Sequence, residues 1–361
     1  MDCRKDREFE EEFASRFKRR VVKDRVPLCG SIDLCTRCNF NCVHCYLPQE
    51  RRKGPWKERE CSTEEILGWV DAMADGGCLY LLITGGEPLL RQDFADVYTH
   101  ARKRGMIVTV FTNGSLVTDD HVRLFKTYPP AAVEISVYAA SSGIYHEITG
   151  VQDALPMVVE GIHRLKDNGI RIKLKTVLMD LNRHELQAVE NIARELGADF
   201  RFDAAILPRL DGDMSPLGHR ISPEEAVELE FRDSVKAEEW RRLWEKSDKA
   251  TLGSGVYGCG AGQTSFHITT DGFLQPCLMS DILRYDLRKG DFHEGWTRGI
   301  AGISQFSAGP ENICRDCELI NLCGYCPPFF KLENGSEQIR SEYICRMGHL
   351  RNEKIMDLGG I

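Results

Sequence analysis

Residues 38–45 read Cys38-Asn-Phe-Asn-Cys42-Val-His-Cys45, three cysteines separated by three and then two residues, directly after the apolar run at 31–34. Three thiolates this close in one loop can hold three corners of a 4Fe–4S cube and leave one iron for an outside ligand. Zinc is the alternative, because Cys35 with Cys38, and Cys42 with Cys45, each form a Cys-x-x-Cys pair. Two such pairs only three residues apart are tighter than the paired knuckles of a zinc ribbon, so the spacing favours iron–sulfur.

Working outward from this loop, short apolar runs at 31–34, 79–84, 106–112, 132–137, 170–178 and 199–206 alternate with amphipathic stretches. The amphipathic stretches lie at 63–74, 92–104, 119–126, 154–168 and 183–196, and Ser62-Thr63-Glu64-Glu65 opens the first as a capping box. Six such units imply an α/β fold with a parallel sheet and helical crossovers, curled into a partial (β/α)6 TIM-like barrel. Chemistry in such folds gathers at the C-terminal ends of the strands. Residues 8–20 are expected to form a charged helix packed on the body through Phe9, Phe13 and Phe17. Residues 208–223 read as a loop, and 223–246 as one charged helix. From about 251 the chain shows little helical periodicity, many glycines and a second set of cysteines. The expected divisions are an N-terminal segment 1–30, a barrel 31–207, a loop and linker helix 208–250, and a cysteine-rich domain 251–361.

The 361 residues carry 47 Lys+Arg against 55 Asp+Glu, a formal charge of −8, which argues against a nucleic-acid or membrane-surface binder. No run approaches the ~18 apolar residues of a membrane span, and the N-terminus lacks a signal peptide's apolar core. A cytoplasmic location follows as the expectation, and there paired cysteines serve metals more often than disulfides. Of the 15 cysteines, eight lie at or before Cys78 and seven at or after Cys259, with none between. Two cysteine-dependent sites therefore flank a cysteine-free scaffold.

Gly85-Gly86-Glu87-Pro88 follows the second apolar run, Asn113 follows the third, and Ser136 ends the fourth, all at strand C-terminal ends. Together with the cysteine triplet they resemble the signature of the radical SAM superfamily. That resemblance implies that Cys38, Cys42 and Cys45 ligate a 4Fe–4S cluster whose unique iron is chelated by S-adenosylmethionine. It further implies that Gly85, Gly86 and Pro88 shape the cofactor site, and that Glu87 helps orient the cofactor's ammonium group. Asn113 and Ser136 would contact its methionine or ribose part. His44 stands where the family commonly has an aromatic residue beside the adenine, and an imidazole can stack there too. Cys3, Cys29, Cys35, Cys61 and Cys78 are left over and expected to be inert thiols.

The later pattern, Cys259, Gly272, Cys277, Cys314-x-x-Cys317, Cys323-x-x-Cys326 and Cys345, resembles the SPASM extension, which binds two auxiliary 4Fe–4S clusters. It departs from that pattern in having two rather than three residues between Cys323 and Cys326. By motif position Cys259, Cys277 and Cys326 would hold the first auxiliary cluster, and Cys314, Cys317, Cys323 and Cys345 the second. His267 is a candidate fourth ligand of the first, against the plainer expectation of a hydrogen-bonded histidine in a strand.

The resemblance implies an oxidoreductase that modifies a ribosomally made peptide, with a thioether or carbon crosslink as the leading outcome. Epimerisation or dehydrogenation of a peptide or small alcohol is the alternative, and a non-enzymatic electron-transfer module is a further one. A reductant such as flavodoxin or ferredoxin, and a separate leader-binding protein, are the implied partners. Asp203, Asp213 and Asp281 are candidate catalytic acids or bases, placed at or beyond the strand ends or just after Cys277.

Overall fold

In the computed structural model the backbone is described for residues 3–52, 54–246 and 255–358. Six parallel strands, β1 (Cys29–Asp33), β2 (Tyr80–Thr84), β3 (Ile107–Thr112), β4 (Ala132–Ser136), β5 (Ile172–Val177) and β6 (Asp199–Asp203), lie side by side in chain order. The sheet then continues past β1 into β7 (Ser265–Ile268), β8 (Phe273–Gln275) and β9 (Tyr285–Asp286). β7 runs parallel to β1 in the register Ser31↔His267, and β8 and β9 turn back antiparallel. The cysteine-rich segment thus shares one sheet with the barrel. The division expected at 250/251 lies outside the described residues.

The crossover helices are α2 (Thr63–Asp75), α3 (Phe94–Lys103), α4 (Asp119–Thr127), α5 (Ser142–Thr149), α6 (Ala154–Lys166) and α7 (Leu186–Glu195), after an N-terminal α1 (Cys3–Lys23). The expected capping box opens α2: the Glu65 amide donates to Ser62 Oγ, and the Ser62 amide to Glu65 Oε2. Alternate strand residues such as Leu81, Val110, Ile135 and Leu174 are buried in the main core with Val97, Val158 and Ile162 of the helices. The intervening residues, Phe111, Ser136, Lys175 and Asp203 among them, line a hollow. β6 has no neighbour on its far side, so the barrel stays open.

Four expectations require correction. The N-terminal helix does not lay its phenylalanines on the body: Phe13 and Phe17 are 56% and 45% exposed and stack on each other. Among its described side chains Val21 is the first that is buried, and the Phe9 side chain lies outside the described residues. The stretch 223–246 is two helices, α8 (Pro223–Arg232) and α9 (Ser234–Lys246). Asp233 between them is extended (φ −85°, ψ 113°) and accepts from the Val235 amide as a cap. α5 is an additional helix, inserted before α6. The region after 251 also carries helices at Pro327–Asn334 and Glu342–Leu358.

The last of these helices was hard to see because a charge sits on its buried stripe. Ile344, Met347, Arg351 and Ile355 are all buried, spaced by three, four and four residues. Arg351 donates two hydrogen bonds to Glu230 of α8, at 2.8 and 2.7 Å, and a third to the Leu322 carbonyl at 2.6 Å. Its guanidinium also lies over the Trp240 ring of α9, 4.2 Å from the centroid. Removing one partner of a buried pair strands the other charge. Arg351→Ala is therefore expected to lower stability by about 3 kcal/mol, read as a fall in the urea midpoint, whereas Arg123→Ala on the exposed Asp120 pair should change it by less than about 0.5 kcal/mol.

Candidate active site

After β1 the chain leaves the sheet as an irregular loop that carries the first cysteines across the C-terminal ends of β2 and β3. Two backbone hydrogen bonds fix it. Gly86 N–H donates to the Cys35 carbonyl at 2.6 Å, and Glu87 N–H to the Arg37 carbonyl at 2.8 Å. The approach is so close that a Cβ on Gly85 would sit 2.3 Å from the Cys35 oxygen, and one on Gly86 2.2 Å from the Arg37 oxygen. Gly85 also has φ +137°, open to glycine and costly for other residues. The two glycines line the cavity, and their lack of a Cβ lets the cysteine loop approach this closely. The loop's far side is tied to α5, with the Asn41 and Val43 amides donating to Thr149 and Ile148 carbonyls.

Cys38, Cys42 and Cys45 line one cavity of about 350 Å³, shared with His44, Asn113 and Ser136. Burial pushes the Cys38 thiol up to about 12. Thiolates in such a place need a positive partner, and soft sulfur donors select iron–sulfur or other thiophilic centres. No three His, Cys, Asp or Glu side chains among the described residues group as a site for a single metal ion. Three thiols opening on one cavity are a donor set that suits an iron–sulfur cluster.

The surrounding residues divide by what their side chains face. Asn113 donates to Asn39 Oδ1 at 2.8 Å, tying the end of β3 to the loop. His44 packs edge-on against Tyr138, with centroids 4.8 Å apart. Pro88 is buried in the turn Pro88–Leu90 and does not line the cavity. Glu87 departs most from expectation: its carboxylate is fully buried and accepts from the Asn113 amide, the Thr112 hydroxyl and the Leu89 amide, at 2.7, 2.8 and 3.0 Å. It is turned away from the cavity and braces the end of β3.

A second chamber of about 230 Å³ adjoins the first, and Leu47 and Leu278 line both. Asp281 lines this chamber but is ion-paired with Lys331 at 2.8 Å, which holds its carboxyl below the usual range. Asp203 lines the first cavity and caps the Ala205 amide. Asp213 lines neither: it pairs with Arg209, whose guanidinium donates to the Cys45 carbonyl. Asp213 therefore supports the cysteine loop from behind. Lys175 and Arg201 on the barrel wall went unread in the sequence, because lysine and arginine in a strand look like solvent-facing residues. Lys175 lies over the Phe111 ring, and burial pushes its ammonium down to about 7.

The structure gathers the later cysteines into two sets. Cys314, Cys317, Cys323 and Cys345 line one small cavity. Cys277 and Cys326, each near Cys259, form the other; burial raises both thiols, and Cys259 raises Cys277 while Cys277 and Cys259 raise Cys326. His267 lies in β7, buried, with Nδ1 2.9 Å from Ser31 Oγ, as a structural histidine would.

Residues 32–193 match the model of the radical SAM superfamily. Those residues form a radical SAM domain. Radical SAM enzymes use a 4Fe–4S cluster and S-adenosylmethionine. Over 334 residues it is 25% identical to the AdoMet-dependent heme synthase of Nitratidesulfovibrio vulgaris, covering 85% of this chain and 89% of that one. It is 27% identical to the antilisterial bacteriocin subtilosin biosynthesis protein AlbA of Bacillus subtilis, over 92% of this chain and 73% of the other. The fold matches that of Streptococcus suis SuiB bound to precursor peptide SuiA with a TM-score of 0.69 at 17% identity, covering 92% and 80%. This radical SAM chain thus has the expected α/β architecture along nearly its whole length, and no described helix is long and apolar enough to cross a membrane.

The buried Glu87 makes a test of the brace. Burial raises its carboxyl to about 7, against 4.5 for an exposed group, although its three donors pull the other way. Between those values the folded chain holds a proton that the unfolded chain has released, so stability falls as pH rises through the window. Glu87→Gln should remove this part of the pH dependence, on the order of 3 kcal/mol, seen by comparing urea midpoints at pH 4.5 and 7.5.

Proposed function

We propose that this radical SAM enzyme oxidatively modifies a peptide, joining a carbon of one residue to a neighbouring heteroatom or carbon. The observation that carries this reading is the gathering of seven thiols into a set of three and a set of four. Leu278, directly after Cys277, lines both chambers. Oxidative bond formation must shed one electron after hydrogen is removed, and iron–sulfur groups beside the substrate chamber would accept it. Cys38, Cys42 and Cys45 would hold the radical-generating cluster. Cys259, Cys277 and Cys326 would hold a first auxiliary cluster, and Cys314, Cys317, Cys323 and Cys345 a second.

When bound, the cluster and S-adenosylmethionine supply a 5′-deoxyadenosyl radical that takes a hydrogen atom from an unactivated C–H bond. Gly85, Gly86, Asn113, Ser136 and His44 would seat the cofactor against the cysteine loop. Lys175, its ammonium lowered by burial, and Arg201, paired with Glu134, give that wall N–H donors for a polar group of the cofactor or substrate. The similarity to AlbA, named for bacteriocin biosynthesis, and the fold shared with peptide-bound SuiB support a peptide in the second chamber. A small reductant protein such as flavodoxin or ferredoxin would supply the first electron. A second reading, a step on a tetrapyrrole side chain, draws on the similarity to heme synthase.

Anaerobic reconstitution should give about twelve irons per chain, and Cys42→Ala about eight, with reductive formation of 5′-deoxyadenosine lowered at least ~100-fold. Stoichiometric zinc with little iron would overturn the assignment. Co-expression with short peptides encoded beside the gene, followed by mass spectrometry, should show a loss of two hydrogens. Unchanged peptides together with conversion of an added tetrapyrrole would favour the second reading.

A further inference from the structure

Asp33 is the last residue of β1 and lines the second chamber, yet it is only 6% exposed. His267, paired beside β1 in β7, is 1% exposed and lines the same chamber. The Ser31 hydroxyl, 2.9 Å from His267 Nδ1, has the Phe266 carbonyl as its own acceptor at 3.3 Å. The hydroxyl can instead donate to Nδ1 at the shorter distance, which puts the ring proton on Nε2, 3.4 Å from Asp33 Oδ2. Asp33 Oδ1 is buried and has no hydrogen-bond partner, and Thr270 Oγ1 on the same chamber wall is in the same state. A buried carboxylate oxygen without a donor is costly and calls for a ligand that supplies one.

The other carboxylates around the two cavities are already engaged. Asp281 is paired with Lys331, Asp271 lies 3.8 Å from Arg284, and Asp203 Oδ1 caps Ala205. Tyr46 lies near Asp33 from the cysteine loop, and its phenol is raised by burial and by that carboxylate. Arg51, Arg59 and Arg284 line the chamber with His267, so a cationic ligand is disfavoured there and a neutral donor is selected.

We propose that Asp33 accepts the proton of a substrate hydroxyl, thiol or amide X–H group in the second chamber, with His267 as the positioning residue. The assignment rests on the peptide reading above. The carbon partner gives its hydrogen atom to the 5′-deoxyadenosyl radical, yielding 5′-deoxyadenosine. The X–H bond breaks, its proton passes to Asp33 Oδ1, and the C–X bond forms. The one electron in excess goes to an oxidised iron–sulfur cluster at the Cys259, Cys277 and Cys326 set. One hydrogen atom, one proton and one electron leave the peptide, which is the loss of two hydrogens overall. Leu47 and Leu278 line both chambers, and the carbon and the X–H group would meet beside them.

The test uses reconstituted holoenzyme and the peptide whose mass shift identified it as substrate, and reads the ratio of 5′-deoxyadenosine to modified peptide. Asp33→Asn is expected to raise that ratio at least tenfold, with iron content retained and peptide Kd, read by fluorescence anisotropy, changed less than threefold. Ser31→Ala frees the imidazole without touching the carboxylate and should raise the ratio by a smaller factor; it decides the matter if Asp33→Asn does not fold. An unchanged ratio in the folded variant overturns the assignment, as does a loss of product matched by an equal loss of peptide affinity. A wild-type enzyme that alters no peptide removes the peptide reading itself, a result distinct from failure of the variant.

Discussion

Everything at the radical-forming end depends on the cysteine loop being laid directly on the turn after β2. The two amide–carbonyl bonds, Gly86 to Cys35 and Glu87 to Arg37, hold three thiols over the open end of the barrel without any regular secondary structure in the loop. They can form only because neither glycine has a Cβ, which would fall inside the opposing carbonyls. The Cys35 thiol strengthens the same contact by donating to the Glu87 carbonyl at 3.1 Å. A leftover cysteine is thus part of the joint, as a small donor packed where no larger side chain fits.

From that turn the constraint passes inward through Glu87. Its carboxylate collects donors from Thr112, Asn113 and Leu89, so the end of β3 and the turn after β2 are locked together beneath the loop. Asn113 then reaches back up to Asn39, closing a ring of contacts from loop to turn to strand and back. A carboxyl group buried this fully is tolerated because both of its oxygens have donors. Arg209 does the same work from the opposite side, with its guanidinium shared between Asp213 and the Cys45 carbonyl. Glu87, which the resemblance turned toward the cofactor, and Asp213, a candidate acid or base, thus both have structural partners in the fold.

The strands and most crossover helices were legible because their signals are local: alternation, a capping box, glycine at turns. All six barrel strands fall within the apolar runs or two residues of them. The cysteine groups were legible through spacing, since loops of this kind keep their ligands close in sequence. What the sequence hid depends on partners far away in the chain. Arg351 reads as a break in an apolar stripe until Glu230, 121 residues earlier, is seen beside it. Lys175 and Arg201 read as exposed until the sheet curls and the inner face becomes a cavity wall. The outward-facing Phe13 and Phe17 show the opposite failure, a proper apolar stripe whose residues stay exposed.

The pairing of β7 with β1 is the least predictable feature and the one with the widest consequence. A chain that ended its sheet at β1 would leave Asp33 and Ser31 on an open edge in contact with water. By adding β7 in parallel, the sheet brings His267 opposite Ser31 and seals the inner face of that edge. The same step carries Gln275 at the end of β8 to the wall of the second chamber, with Cys277 two residues later and then Leu278, which lines both cavities. One strand pairing therefore sets both the buried histidine–carboxylate pair and the position of the nearest auxiliary thiols. The proposed proton acceptor and the thiols proposed to hold an electron-accepting cluster thus depend on a single structural cause, so a change in that register would displace both at once.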